Sequence, residues 1–515
     1  MNLKKWISLL VAMTLMLTLF SGCGKEKDAY VPTGNALVME DDSTVATVEK
    51  EDEKIQDLTL VYYPDKSMNP LTSTDFTNRT LFSLLYQGLF SVNRSYQVEP
   101  VLCSKYSMSS DMMIYTFYLE RATFSDGSPV TEADVVATLL AAKESNYYKG
   151  RFQHVRKVEA GENGGIVVTL DTPYENLPIL LDVPILKAEQ LEDPRPLGTG
   201  PYVFEQGTGG ARLRRQLNWW CKAELATNAE GILLIRAESP AQIRDEFEFG
   251  QVGLVCTNPA SDTYADYRSD FELWDCETGM MLYLGCNMDS PVFSNNTVRA
   301  ALTHAIDRNT ITEKFYRGYG RSATLPASPQ SPYYSHSLAE DYADDGLKFV
   351  DAVNAAGMKG KEVILMVNKD DSLRLRVARE IAQMLTDSGL IVQLKAVGSH
   401  EYHESLIYRT YDLYLGQTRL SANMDLTPFL YVWGEISYGH MEDSNLYALC
   451  LDALANSGNY LNLHQKVMND GRLCPILFCG YAVYATRGLL SDLVPARDNV
   501  FWYSTGKTME DALME

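Results

Sequence analysis

The sequence predicts an α/β protein of two lobes, and three observations carry that expectation. With 515 residues, the chain is longer than one hydrophobic core ordinarily serves. Glu362–Val367, Ser372–Ser388 and Leu390–Val397 read as strand, helix and strand, with Gly389 closing the helix, which is the pattern of a β-α-β unit. Ile114–Leu119 is rich in aromatic and β-branched residues and reads as a strand. It leads through the turn Ser125-Asp126-Gly127-Ser128-Pro129 into a helix start at Thr131-Glu132-Ala133-Asp134 that runs to about Lys143.

In chain order, residues 1–22 carry Lys4 and Lys5, then an apolar run from Trp6 to Phe20, then Ser21-Gly22 before Cys23. A basic start, an apolar core and small residues describe a secretory signal, and the run is short of the roughly 20 residues that a membrane-spanning helix needs. Small residues directly before a cysteine resemble the bacterial lipobox, which implies cleavage before Cys23 and lipidation of that residue; Phe20 stands where leucine is usual. Residues 23–57 are acidic, with Glu40-Asp41-Asp42 and Glu49-Lys50-Glu51-Asp52-Glu53. They carry too little apolar surface to offset the entropy of ordering, so they read as a tether.

Composition bounds the rest. Charged residues make up 22% and hydrophobic ones 46%, a soluble balance, and the formal charge of −22 argues against nucleic-acid binding and against docking on anionic lipid by charge. Of nine cysteines, Cys23 belongs to the anchor. The others show no metal-binding spacing, since Cys474-Pro-Ile-Leu-Phe-Cys479 is not C-x-x-C, and few or no disulfides are expected.

Leu58–Tyr63 reads as the first strand, Asn69-Pro70-Leu71-Thr72 as a turn, and Asp75–Gly88 as a helix presenting Leu81, Leu84 and Leu85. Leu85-Tyr86-Gln87-Gly88-Leu89-Phe90 then precedes the strand–turn–helix above. Val155–Thr169 reads as a hairpin about Gly164-Gly165. In Gly198-Thr199-Gly200-Pro201-Tyr202, the glycines serve either close backbone approach or positive φ. No helix-opening lysine follows, so a phosphate-cradling loop is not supported. Gly279–Asn287 is a strong strand. In Asn295–Asp307, Val298, Ala301, Leu302, Ala305 and Ile306 recur at helical spacing. His304 within it reads as structural. Tyr402–Arg409 reads as a helix and Tyr411–Leu415 as a strand. His400-Glu401-Tyr402-His403-Glu404 fails the H-E-x-x-H spacing, because Ile407 stands where the second histidine belongs. No nucleophile elbow is present, so an enzyme is not indicated.

These pieces, in this order, resemble the family 5 extracellular solute-binding proteins of ABC transporters, the oligopeptide- and dipeptide-binding proteins. The Y-x-G-L end at Tyr86–Leu89, the F-x-D-G cap at Phe124–Gly127, Gly198–Tyr202, Asn295–Arg308 and Cys474–Val483 carry the likeness. It implies a two-lobed periplasmic-binding-protein-like fold with an extra subdomain inserted in the first lobe. The first lobe would comprise residues 58–96, 195–278 and 478–515, the inserted subdomain 97–194 and the second lobe 279–477. It further implies capture of a small solute, peptide or peptide-like, by lobe closure, without chemistry or cofactor. The partners implied are an ABC permease and, through the lipid anchor alone, the extracytoplasmic face of the cell membrane, with the protein acting as a monomer. Alternatives are a receptor or chaperone-like sensor without transport, or a carrier of a non-peptide solute such as a nickel chelate, an oligosaccharide or an anion; turnover of a bound ligand would revive a hydrolase.

In the peptide-binding relatives, W-x-x-D follows the Leu415-Gly416 position, and its acid pairs with the peptide amine. Here Gln417-Thr418-Arg419-Leu420 stands there. Arg419 either recognises a carboxylate or phosphate of the solute or pairs with an internal acid. Asp425 stands nearby as a replacement acid, and Tyr431 and Trp433 supply aromatics. With Asn287 and Thr74 these are the candidate ligand-binding residues.

Overall fold

Two antiparallel strands, Phe271–Cys286 and Leu473–Thr486, form the spine of the protein. The computed structural model describes residues 58–259 and 271–514; the signal segment, Cys23 and the acidic tether lie outside the described residues. The first spine strand was expected only from Gly279, yet it begins at Phe271. Asp275 and Glu277 hide its first half from a hydropathy reading, and both are buried. The ladder between the two strands shifts register twice, between Glu277 and Met281 and between Leu282 and Tyr283. The second shift lies opposite Pro475, which has no N–H to give to a ladder.

At one end of the spine, Leu254–Thr257 pairs with its C-terminal strand. Beside it stands a four-stranded sheet, in the order Thr59–Tyr62, Gly231–Arg236, Gly210–Arg215, Tyr202–Gly207, with the first pair parallel. Val61, Phe247, Val255 and Tyr484 close the core between them. At the other end, Leu413–Arg419 runs antiparallel to Met280–Cys286, and Glu362–Asn368 and Ile391–Val397 follow in parallel. The expected β-α-β unit is there: Ser372–Asp387 is a helix capped by Asp371, whose carboxylate accepts from the Arg374 amide at 2.8 Å. It buries Val377, Ala378, Ile381 and Leu385, a stripe at helical spacing. The strand expected at Tyr411–Leu415 runs instead from Leu413 through Arg419.

A further four-stranded antiparallel sheet, Cys103–Met108, Ile114–Leu119, Ile166–Leu170 and Val155–Ala160, carries the helix Glu132–Glu144. The Asp134 carboxylate reaches back to the Thr131 amide at 2.9 Å. The hairpin turns through Gly164 at φ 78°. The single helix expected over Asp75–Gly88 is two short ones, Phe76–Arg79 and Phe82–Leu85. The Thr80 hydroxyl donates to the Phe76 carbonyl (3.1 Å), and the Leu81 amide turns to Asn78 (3.1 Å), a local competition that ends the helix. Gly198 and Gly200 serve close approach rather than positive φ: a Cβ on either would lie 2.1 or 2.5 Å from Leu85 backbone atoms.

All eight described cysteines are free thiols. His304 bonds the Ala343 carbonyl at 2.6 Å. His400 is 90% exposed, and among the described residues no group of three side chains suits a metal ion. None of the described helices is long and apolar enough to cross a membrane.

Candidate functional site

Alternation along Leu413–Arg419 sends Gln417 and Arg419 to the same side of the spine sheet, where they pair in register with Leu282 and Met280. Gln417 lines an open cleft of about 540 Å³ with Thr278, Met280, Tyr316, Arg374 and Tyr481. This cleft runs from the spine to the N-terminal end of the Ser372–Asp387 helix. Arg419 turns to an internal acid. Its Nη1 donates to the Asp498 carboxylate and to the Thr278 carbonyl, and its guanidinium stands 4.9 Å from the centre of the Tyr147 ring. Burial opposes the charge, but Asp498 holds the Arg419 pKa above its ordinary value.

Behind that ion pair lies a smaller cavity of about 110 Å³, lined by Arg79, Tyr147, Arg151, Arg497, Asp498 and Trp502, among others. Arg79 comes from the first short helix, and Arg497 to Trp502 from the C-terminal segment. Arg79 donates to the carbonyls of Pro70 (3.2 Å) and Ser73 (3.0 Å) and to the Tyr148 hydroxyl (3.1 Å). Its guanidinium lies 3.4 Å from the Tyr147 ring centre, a cation–π contact. Among the described residues no ion pair involves Arg79. Arg151 pairs with Asp182. Arg497, whose side chain is 6% exposed, donates to the Leu420 carbonyl and keeps Nε 3.8 Å from Asp498.

Asp425 lines neither cavity and is taken up by protein donors. Asp425 accepts from the amide of Gln153, from His154 Nε2 (3.1 Å) and from the amide (2.8 Å) and hydroxyl (3.0 Å) of Thr427. Burial pushes the Asp425 pKa up, but the bonds from His154 and Thr427 outweigh it and hold the group below the usual carboxylate value. Lys149 pairs with Glu435 at 2.9 Å, and Glu175 bonds Leu454 and Ser457. The bonds of Gln153, His154, Lys149 and Glu175 each join residues 149–175 to residues 425–457.

The candidate residues are therefore not gathered in one place. Gln417 lines the open cleft and Arg419 stands beside the inner cavity. Asp425 lines neither cavity and is occupied by protein donors. Asn287 spends its amide on the carbonyls of Tyr411 (2.8 Å) and Arg409 (3.3 Å). Thr74 is exposed. Tyr431 stacks on Tyr447, and Trp433 is 80% exposed; neither lines the two cavities. Sequence reading missed Arg79, Tyr147, Arg497, Asp498 and Trp502. The one available signal was a lone arginine or an Arg-Asp pair among aromatic and apolar neighbours in short segments.

Comparison with known proteins supplies the context. The profile of bacterial extracellular solute-binding proteins, family 5 (middle part), matches residues 97–437. The glutathione-binding protein GsiB of Salmonella choleraesuis is 25% identical over 358 residues, covering 64% of this chain and 67% of that one. Among solved structures, HbpA2 from Haemophilus parasuis superposes with a TM-score of 0.71 at 19% identity, over 87% of this chain and 99% of that one. The ABC transporter substrate-binding protein CtaP from Listeria monocytogenes gives 0.70 at 19% identity, over 88% and 98%. At those identities the structural likeness is one of fold.

Proposed function

The chain belongs to the bacterial extracellular solute-binding proteins of family 5, whose members bind solutes rather than transform them, and from that premise we propose that it captures a peptide-like solute in the cleft and delivers it to an ABC permease. The observation that carries this reading is the spine. Two strands pass through both lobes side by side, their ladder is interrupted at Gly279, and the cleft with its inner cavity opens beside that interruption. Such a ribbon bends with little loss of packing, so the lobes close as rigid bodies about it. The bonds from Gln153 and His154 to Asp425 then act as a latch on the closed form. We assign residues 58–96, 195–278 and 478–515 to the first lobe, 97–194 to the inserted subdomain and 279–477 to the second lobe. A peptide-like solute is supported by the relative named for binding glutathione. Gln417 contacts the solute in the open cleft, while Arg419 positions Asp498. The mature chain is held on the outer face of the cell membrane by lipid on Cys23 and works as a monomer.

The test is a solute screen with two readings. A true solute raises the melting temperature by mass action and compacts the protein in small-angle scattering. A solute confirmed by calorimetry that changes neither reading removes the closure mechanism. Cys23→Ser is expected to release the protein from the membrane or leave it unprocessed.

A further inference from the structure

The inner cavity holds more guanidinium than carboxylate. Arg151 is matched by Asp182 and Arg419 by Asp498. Among the described residues, that leaves Arg79, bonded to two carbonyls and a phenol, and Arg497, whose nearest carboxylate oxygen lies 3.8 Å away and already accepts from Arg419. The same wall carries buried polar atoms without a hydrogen-bond partner. Two are donors, Arg497 Nε and Trp502 Nε1, and two are acceptors, Asp498 Oδ1 and Asn499 Oδ1; the hydroxyls of Ser83 and Ser91 are also unpartnered. Buried polar atoms are normally paired, because leaving them unpaired costs stability. Here they gather on one cavity, which marks it as a place where a guest supplies the partners.

The chemistry of the unmet partners narrows the guest. A simple anion satisfies Arg497 and Trp502 but leaves Asp498 and Asn499 without donors. A simple cation does the reverse, beside two unmatched guanidinium groups. An ammonium and a carboxylate on one carbon meet both demands. The cavity, of about 110 Å³, has room for such a head group. Neither end of an ordinary peptide qualifies, since each α-amine is followed by an amide and each α-carboxylate is preceded by one. A peptide joined through a side chain keeps the complete head group.

We propose that this cavity takes a free α-amino-acid head group of the solute, with its carboxylate on Arg79, Arg497 and Trp502 and its ammonium on Asp498 and Asn499, and so selects side-chain-linked peptides over α-linked ones. The assignment rests on the solute-carrier reading above. The test uses two isomers of equal composition and charge, γ-L-glutamylglycine and α-L-glutamylglycine, titrated by calorimetry into the mature protein. The γ isomer binds at least tenfold more tightly. Arg497→Gln and Trp502→Phe each reduce that preference at least fivefold; Trp502→Phe keeps the ring, and melting curves confirm the fold of both variants. If Arg497→Gln fails to fold, Trp502→Phe and Ser91→Ala carry the comparison. Equal affinity for the isomers, a preference that survives these variants, or no binding of either isomer overturns the head-group assignment. If both isomers fail but another solute in the screen compacts the protein, the carrier reading stands without the head-group assignment; if no solute does, the carrier reading falls as well.

Discussion

Two clusters of buried charge border the spine strand Phe271–Cys286, and they differ in one respect. In the first, the Asp275 carboxylate accepts from Arg94 (2.7 and 2.9 Å) and Arg321 (2.5 Å). Glu277 beside it accepts from the hydroxyls of Tyr96 and Ser328. Gln330, oriented to satisfy both its ends, donates to Glu277 at 3.0 Å and accepts from Arg94 and Arg321. Two acids meet two bases, and Arg94 Nη1 is the one nitrogen left over. In the second cluster, around the inner cavity, two arginines lack a carboxylate of their own and four polar atoms besides two hydroxyls lack partners. A complete network fixes the strand beside it, whereas an incomplete one has capacity for a guest.

The contrast is broken or sharpened by mutation. Asp275→Asn leaves the part-buried Arg94 and Arg321 beside a neutral amide and is expected to cost about 3 kcal/mol in denaturant unfolding. Arg497→Gln, which removes an already unpartnered nitrogen and one carbonyl bond, is expected to cost about 1 kcal/mol. If the two costs are equal, or reversed, the clusters do not differ in kind.

Gly279 joins the clusters. Its φ is 67°, and a Cβ there would lie 2.4 Å from Arg497 Nε. Gly279→Ala is expected to lose about 1–2 kcal/mol from the left-handed backbone and to push Arg497 off the cavity wall. A melting curve reads the first effect and a titration with γ-L-glutamylglycine the second.

His464 supplies a third case, an unpaired buried group away from either cavity. Both ring nitrogens lack partners, and burial drives its pKa from 6.5 down to about 3. Because the folded-state value is depressed, its contribution is complete above pH 6.5 and is lost as pH falls toward 3, at about 1.4 kcal/mol per pH unit. His464→Phe is expected to flatten the unfolding free energy over that window without changing solute binding. A change in binding would mean that unpaired groups influence the cleft wherever they lie. The smallest effect belongs to the exposed Lys149–Glu435 pair: Lys149→Ala is expected to shift stability by less than about 0.5 kcal/mol.

How much of this was legible in the sequence follows from what each residue answers to. The β-α-β unit, the hairpin and the Thr131 helix start were readable because apolar spacing and turn chemistry act within a few residues. The first half of the spine strand was not, since Asp275 and Glu277 read as surface until Arg94 and Arg321, far along the chain, are brought to them. The same applies to the site. Gln417 and Arg419 were found by position next to Gly416. Arg79, Tyr147, Arg497 and Trp502 come from three separated segments, and only the fold brings them to one cavity. Asp425 looked like a ligand acid because its partners, Gln153 and His154, stand far back along the chain, in the turn before Val155–Ala160.

The central claim is that this chain carries a small solute in the cavity beside Arg497. Native mass spectrometry of the protein purified gently from its own cells tests it most directly. Wild type is expected to fly with one small solute bound in one-to-one ratio, and Arg497→Gln, prepared in parallel, with most of that adduct lost. The bare polypeptide mass in both preparations, or an adduct retained equally by the variant, would contradict it.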